Sequence, residues 1–192
     1  MEARTTKALR RRGVRDSKTL SPKRREALYE EILLASSRVV SVMIQPDQID
    51  EVVTTGKKYR KLNYLEALYF AKVADDLGAS DLIVDASDSS PIRFRDVILA
   101  NMRWKCKVLA AHKADRDYTV VSAASIVAKV ERDRAIEKLK RTLGEFGSGY
   151  PSDPVTRAFF LERMKRGEPI PAQVRKSWKT LGALQQTLLA AF

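Results

Sequence analysis

Two short apolar runs with a helical segment between them constrain the fold of this chain more than any other feature. Residues 81–86, DLIVDA, and residues 106–111, CKVLAA, each predict a short buried strand. Ser90 and Pro91 suit the start of a helix that connects them. A strand, a helix and a strand within this length predict a parallel pair with a right-handed crossover. Acids that follow the two strands are therefore expected at one edge of the sheet, where open α/β sheets place their sites.

The rest of the chain is predicted to be mainly helical. Ser21 suits an N-cap and Pro22 the first helical position, while Gly78 suits the end of a later helix. A further strand is predicted at residues 39–44, and a basic loop at residues 54–60. The apolar spacing predicts helices at residues 22–35, 46–53, 65–77, 91–102, 154–167 and 174–189, and a long helix that includes residues 122–132.

The charge of the chain favours a polyanionic partner. The net charge is +12 and the isoelectric point is near 9.9, and lysine and arginine release counterions when they neutralise phosphates. The excess is concentrated in the first 25 residues, which hold ten lysines and arginines against Glu2 and Asp16. For the run Arg10-Arg11-Arg12, a disordered and solvated tail is favoured over a specific site.

Other functional classes are disfavoured by composition. No stretch approaches the roughly 20 apolar residues of a membrane span, and the basic N-terminal region lacks the continuous apolar segment of a secretory signal. We therefore expect a cytoplasmic protein, and a monomer. The single cysteine, Cys106, cannot form an internal disulfide and lies in an apolar alternation, which favours a buried small hydrophobe over a nucleophile.

Asp85 and Asp115 are the acids that follow the two predicted strands. A carboxylate at a strand end, beside small hydroxyls and cations, suits metal-assisted phosphodiester chemistry, because Mg²⁺ and Mn²⁺ prefer oxygen ligands. Two such ions roughly 4 Å apart can activate a water and stabilise the leaving oxygen. The alternative is a solvated loop before an amphipathic helix. Asp88 and Asp133 are assigned to a loop cap and to a solvated turn of the long helix, respectively.

The longer motifs around these acids resemble a known family. Residues 111–134, AHKADRDYTVVSAASIVAKVERDR, and residues 147–153, GSGYPSD, resemble the core of ribonuclease HII of the archaeal and eukaryotic type. The resemblance begins near residues 14–20, VRDSKTL, and continues through Thr180. It implies an α/β fold, with a ribonuclease H-like mixed sheet flanked by helices and a small C-terminal helical region. The implied domains are a catalytic core at residues 1–145 and the C-terminal region at residues 146–192.

One motif of that family has no counterpart in this chain. Family members open on a strand that ends in Asp-Glu-Ala-Gly-Arg-Gly, which supplies two of four metal-binding carboxylates, and no such string occurs here. The resemblance therefore implies a core that is incomplete at its N-terminus, without the first two strands. Residues 39–44, 82–86 and 106–111 would be strands 3, 4 and 5 of the sheet. Because strands without their neighbours have unpaired backbone groups, we expect the chain to be poorly stable alone.

The resemblance also assigns roles to individual residues. Asp85 and Asp115 match the third and fourth acidic residues of the family, so both are expected to be catalytic and to bind Mg²⁺ or Mn²⁺. Tyr150 matches the tyrosine that packs on the sugar at the junction between a ribonucleotide and the following deoxynucleotide. The alternative for Tyr150 is a tyrosine that attaches its loop to the core.

Three further residues, Lys18, Ser125 and Lys129, are expected to contact substrate phosphates. Hydroxyl and ammonium groups can position a nucleic-acid backbone without reading its sequence. His112 is the only histidine and lies three residues before Asp115. It could carry a proton or support a metal ligand, but a packed or hydrogen-bonded histidine is the favoured interpretation.

The last eight residues, QQTLLAAF, resemble the peptide by which replication enzymes bind the sliding clamp. The matching residues are Gln185, Leu188 and Phe192, the last two of which would enter a hydrophobic pocket. Ala191 stands where a second aromatic residue is usual. An ordinary apolar helix end is the favoured alternative.

The leading hypothesis is an endonuclease that hydrolyses the RNA strand of RNA–DNA hybrids and ribonucleotides embedded in DNA. The expected products carry 5′-phosphate and 3′-hydroxyl ends. Because two carboxylates alone are an incomplete site for two metal ions, family membership and activity of this chain are separate questions. The alternatives are a non-catalytic, nucleic-acid-binding remnant of the same family, and a clamp-associated or structural domain whose acids are incidental.

Overall fold

The computed structural model describes residues 1–56 and 62–189. The helices are α1 (Ala3–Arg11), α2 (Pro22–Ala35), α3 (Pro46–Thr55), α4 (Leu62–Leu77), α5 (Pro91–Asn101), α6 (Ala114–Asp117), α7 (Thr119–Leu143), α8 (Pro154–Lys165) and α9 (Lys179–Leu189), and the strands are β1 (Asp81–Asp85) and β2 (Lys107–Ala111). A 3₁₀ turn covers Ser17–Thr19. No helix of these described ranges is long and apolar enough to cross a membrane.

The chain divides into two compact units. The first comprises Met1–Met43 and Tyr59–Glu131, and the second comprises Ile44–Lys58 and Arg132–Phe192. The first unit holds the sheet, and the second holds α3, the end of α7, α8 and α9. The functional boundary predicted between residues 145 and 146 stays a prediction.

The parallel strand pair predicted from the sequence is confirmed. β1 pairs with β2 in parallel, with Asp81 opposite Lys107 and Asp85 opposite Ala111. Each strand is one residue shorter than predicted, and α5 connects the two strands. The carboxyl ends of β1 and β2 therefore lie side by side.

The helix boundaries follow the predicted caps. The Ser21 hydroxyl accepts a hydrogen bond from the Arg24 amide at the start of α2, and the Ser90 hydroxyl accepts one from the Arg93 amide at the start of α5. Each helix has proline at its first position. α4 ends before Gly78, whose φ of +67° is the left-handed conformation that a helix end often requires.

The strand predicted at residues 39–44 is not formed. A strand exists through hydrogen bonds to a neighbour, and in the described part of the chain only β1 and β2 pair. Val39 and Met43, which the prediction would bury, are exposed. The basic loop predicted from residue 54 is also partly wrong, because α3 continues to Thr55, while residues 57–61 lie outside the described residues.

The last helix starts five residues later than predicted. The amides of Lys176 and Ser177 donate to the Asp50 carboxylate at 2.7 and 3.0 Å. These amides are therefore bound to a side chain on α3 instead of to helical carbonyls, and α9 begins only at Lys179. The hydrogen bonds from Ser177 and Lys176, with the charge of Arg175, outweigh desolvation and lower the pKa of Asp50.

The N-terminal region is helical and packed, so the disordered tail favoured by the sequence is wrong. Leu9 of α1 and Val14 after it are each 2% exposed. Both belong to an apolar cluster with residues of α2 and α7, among them Leu28, Ile32 and Ile126. α1 is therefore attached to the body of the first unit.

A second apolar cluster fixes the sheet. Val84 of β1 packs with Phe94 and Ile98 of α5 and with Ala67 and Ala71 of α4, and all five are almost fully buried. Burial of these side chains holds the end of β1 in place. In the second unit, α8 and α9 form a smaller cluster from Phe160, Leu181 and Leu184.

Replacing Phe94 with alanine should lower the free energy of unfolding by about 3–5 kcal/mol, because it leaves a cavity. The Phe94 ring also packs edge-on against Phe70, with 5.8 Å between the ring centroids. Denaturant unfolding measures the change. Ile92→Ala is the control, since Ile92 lies on the same helix but is 64% exposed, and it should change stability by about 0.5 kcal/mol or less. Equal losses in the two variants would contradict this assignment of the core.

Candidate functional site

Asp85 contacts the backbone that directly precedes Asp115. Asp85 is the last residue of β1, and its Oδ1 atom accepts a hydrogen bond of 3.2 Å from the Ala114 amide. Ala114 directly precedes Asp115 and opens α6. The Asp85 carboxylate thus lies beside the backbone that carries Asp115.

A left-handed residue produces this arrangement. Lys113 has φ of +58° and is the non-glycine residue with positive φ in the described chain, a conformation that is uncommon outside glycine and asparagine. It lies between β2 and α6 and turns the chain sharply, so that the Ala114 amide is directed at Asp85. Sparsely populated backbone conformations of this kind cluster at functional sites.

Asp115 is buried and its carboxylate has no protein partner in the described structure. The residue is 6% exposed. The Ser122 hydroxyl donates to the Asp115 backbone carbonyl at 2.5 Å, but no hydrogen bond or ion pair engages its carboxylate among the described residues. An unpaired buried carboxylate is unfavourable. The Asp115 side chain is therefore suited to bind a cation, or to accept a hydrogen bond from a water that contacts a phosphate.

The predicted phosphate contacts Lys18 and Ser125 are brought together through Ser17. Ser17 is 2% exposed, and its Oγ atom lies 2.9 Å from the Oγ atom of Ser125 on α7. Lys18 is the next residue and is exposed. Lys129 lies one helical turn after Ser125 and is half-buried. These three predicted residues therefore share one region of the first unit.

Asp16 links that region to the two acids. Its Oδ1 atom accepts from the Lys18 amide at 2.9 Å, which caps the 3₁₀ turn. Its Oδ2 atom lies 3.8 Å from Nε of Arg116, the residue after Asp115. The sequence analysis missed this role of Asp16, because nothing in the sequence places residue 16 beside residue 116.

Tyr150 lies in the second unit, in a loop with two left-handed glycines. Gly147 and Gly149 have φ of +75° and +70°. The left-handed φ of Gly149 favours glycine, and a Cβ atom there would also lie 2.9 Å from Cδ1 of Ile136 on α7. Tyr150 itself is 42% exposed, which leaves part of its ring accessible to a ligand.

Arg132 holds the tyrosine loop from α7. Its guanidinium carbon lies 3.9 Å from the centroid of the Tyr150 ring, and its Nη2 atom donates to the Ser148 carbonyl at 2.7 Å. A cation over an aromatic face is attractive. The predicted long helix includes residue 132, but the contact with Tyr150 was not predicted, because it depends on how the glycine loop turns back toward α7.

Asp88 and His112 behave as predicted, whereas Cys106 is less buried than predicted. Asp88 accepts from the Ser90 amide at 2.7 Å and pairs with Arg93, so it caps its loop as predicted. Asp133 pairs with Arg132 at 3.1 Å. Nδ1 of His112 lies 3.3 Å from the Ala86 carbonyl, which confirms a hydrogen-bonded histidine. Cys106 is half-buried, and burial raises the pKa of its thiol, which disfavours a nucleophile.

The carboxylates of Asp85 and Asp115 are chemically suited to a hard cation. In the described part of the chain, no group of three or more His, Cys, Asp and Glu side chains could hold a metal ion. Mg²⁺ often binds through only one or two carboxylates, with waters and substrate phosphates completing its shell. Asp85 and Asp115 fit that mode, whereas two ions would need further acids.

The predicted clamp-binding residues are described only in part. Gln185 is exposed on α9, and the backbone of Leu188 belongs to the same helix. Phe192 lies outside the described residues. The clamp contact stays a prediction.

Comparisons with known proteins agree on one family. A family model described as "Ribonuclease HII" matches residues 1–181. The ribonuclease HII of Thermococcus onnurineus is 44% identical over 176 residues, which cover 92% of this chain and 76% of that protein. The ribonuclease HII of Thermococcus kodakarensis is 46% identical over 168 residues, with 88% and 72% covered.

Two solved structures are similar to the fold. The ribonuclease H2 of Pyrococcus horikoshii superposes with a TM-score of 0.86 at 38% identity, covering 98% of this chain and 88% of that one. The chain in a PCNA:RNase HII complex from Archaeoglobus fulgidus gives a TM-score of 0.84 at 39% identity, covering 97% and 87%. Both comparisons support the predicted α/β fold.

Asp153 should titrate far below an ordinary aspartate. A hydrogen bond from the Ser148 side chain, with others from the Ser148 and Val155 amides, lowers the pKa of Asp153 from 3.8 to about 2. Because the folded pKa is depressed, the stabilisation by the ionised carboxylate is complete above pH 3.8 and is lost as the pH falls toward 2. Side-chain NMR titration measures this pKa.

The matched variant is Asp153→Asn. Its free energy of unfolding should depend less on pH across this range, and its Tyr150 loop should be less ordered. An Asp153 carboxyl that titrates at its ordinary value of 3.8 would contradict the hydrogen-bonded arrangement.

Proposed function

We propose, since the chain belongs to the ribonuclease HII family, that it is an endoribonuclease that hydrolyses the RNA strand of RNA–DNA hybrids and ribonucleotides embedded in DNA. The observation that carries the proposal is the placement of Asp85 against the Ala114 amide, beside the buried and unpaired Asp115. Two carboxylates, at the end of β1 and in the first turn of α6, would supply the negatively charged groups that hold a cation for phosphodiester hydrolysis. The products should carry 5′-phosphate and 3′-hydroxyl ends.

Asp85 and Asp115 are the proposed catalytic and metal-binding residues, with Mg²⁺ or Mn²⁺ as the ion. When bound, such an ion supplies Lewis-acid chemistry at the scissile phosphate and lowers the pKa of bound water. The Ala114 amide orients the Asp85 carboxylate, and the burial of Asp115 limits its movement. The hydrolysis is proposed to use two metal ions, for which Asp85 and Asp115 would supply two of the carboxylates.

The substrate backbone is proposed to lie against Lys18, Ser125 and Lys129. The Ser17–Ser125 hydroxyl contact fixes the start of the turn that presents Lys18. Charged and hydroxyl groups of this kind position phosphates without reading bases. Tyr150 is proposed to pack on the sugar next to the ribonucleotide, with the part of its ring that stays exposed.

The sliding clamp is the proposed protein partner, through Gln185, Leu188 and Phe192. The support is the similarity to the chain in a PCNA:RNase HII complex and the exposure of Gln185. We also propose a cytoplasmic, monomeric protein, because the family and the net charge of +12 favour a nucleic-acid partner.

Replacing Leu188 and Phe192 together with alanine should weaken binding to a sliding clamp at least tenfold, because buried apolar anchors dominate such interfaces. Surface plasmon resonance with immobilised clamp measures the affinity. Gln186→Ala is the control and should bind as the wild type does. Unchanged binding by the double variant would show that these last residues are an ordinary helix end.

Asp85→Asn and Asp115→Asn should each lower the cleavage rate of a duplex with a single embedded ribonucleotide by roughly 100-fold or more, because each removes a ligand of the cation that stabilises the anionic transition state. Cleavage is followed with a 5′-labelled strand in Mg²⁺ and in Mn²⁺. Asp88→Asn is the matched control, because Asp88 caps a loop and pairs with Arg93.

Two outcomes would contradict the proposal. Equal loss in the Asp88→Asn control would mean that the effect comes from folding. Tight binding of the duplex by the wild type with no cleavage in either metal would favour the non-catalytic nucleic-acid binder.

A further inference from the structure

α1 carries a row of exposed cations on the side opposite its buried residue. Arg4, Lys7 and Arg11 are exposed, whereas Leu9 is 2% exposed. At 3.6 residues per turn, positions 4, 7 and 11 fall on one face of the helix and position 9 falls on the other. We call these three residues the α1 cation row.

The row has a fixed position in the first unit. Leu9 and Val14 are packed in the apolar cluster formed with α2 and α7. Ser17 follows three residues after Val14 and contacts Ser125 on the same α7. The row is therefore held by the same core that holds the proposed phosphate contacts.

The charges of the row are not neutralised by ion pairs among the residues that the structure describes. Arg12 pairs with Glu31 at 3.0 Å, but Arg4, Lys7 and Arg11 have no ion pair among the described residues. Glu2 is the single acid in the first 15 residues.

Stabilisation of the helix does not account for the row. Cations near a helix C-terminus are favoured by the helix dipole. This accounts for Arg11 and its neighbour Arg10 in the last turn. Arg4 lies in the first turn, where the dipole disfavours a cation, and that turn has no acidic residue. Arg4 and Lys7, and Lys7 and Arg11, are also like-charge pairs at spacings of three and four, which repel.

We propose that the α1 cation row binds the sugar–phosphate backbone of the nucleic-acid duplex, as a contact additional to the cleavage site. Positions 4 and 11 lie about 10 Å apart along the helix axis, which matches about three phosphate-to-phosphate steps along one strand. Such contacts add affinity without sequence preference. This inference rests on the proposed function, since the family supplies a duplex as the partner.

The test is the salt dependence of duplex binding by the full chain. The variant Arg4→Gln/Lys7→Gln/Arg11→Gln removes the row, and Lys105→Gln/Lys138→Gln/Arg141→Gln removes three other exposed cations. Fluorescence anisotropy measures the affinity for a labelled duplex with one ribonucleotide, without divalent metal, across a range of salt concentrations.

In a plot of log affinity against log salt concentration, the slope for the row variant should be shallower than that of the wild type by between about two and three. Between 50 and 200 mM salt the wild type should therefore lose roughly 40-fold more affinity than the variant. The control variant should keep the wild-type slope. The row variant should also have a higher melting temperature at low salt, because repulsion in α1 is relieved.

Other results would overturn the inference. Equal slopes for the wild type and the row variant, or equal reductions in both variants, would show that the row makes no contact of its own. Loss of binding to anionic phosphatidylserine vesicles with unchanged duplex binding would assign the row to a membrane surface. A wild type that binds no duplex at all would instead overturn the proposed function.

Discussion

The hydrogen bond from the Ala114 amide to the Asp85 carboxylate is the contact on which the candidate site depends. It joins the end of β1 to the first turn of α6, across the parallel pairing that places Asp85 opposite Ala111. The left-handed Lys113 makes the contact possible, because it turns the chain back toward β1 as soon as β2 ends. The position of Asp115 follows from the same turn.

Around this contact, buried serine side chains of the first unit hold the segments that carry the charged residues. Ser122 binds the Asp115 carbonyl, and Ser17 contacts Ser125, so α7 is tied both to the acids and to the turn that presents Lys18. The side chains that would meet a substrate can stay accessible because their neighbours are buried. The second unit follows the same principle, since Asp153 and the buried Thr156 hold the loop that presents Tyr150.

The sequence predicts the parts of the fold that depend on residues close together in the chain. The caps at Ser21 and Ser90 and the parallel pairing of β1 with β2 could be predicted, because each depends on residues close in the chain or on a short crossover. The contact between Asp85 and the backbone next to Asp115 follows from the same pairing.

Contacts between distant residues could not be predicted. The amides of Lys176 and Ser177 bind Asp50, more than a hundred residues earlier, and this delays the start of α9. The stacking of Arg132 on Tyr150 depends on two left-handed glycines whose turn the sequence does not define. The helical N-terminal region was not predicted because the arginines in the sequence favour a solvated tail, whereas burial of Leu9 in the apolar cluster packs the helix against the first unit.

The most direct measurement is product mapping after incubation of the chain with two labelled duplexes, one all-DNA and one with a single ribonucleotide. The account predicts one cut, at the ribonucleotide, with a 5′-phosphate and a 3′-hydroxyl, and no cut in the all-DNA duplex. Cleavage of both duplexes at the same rate, or binding of both without any cut, would contradict it.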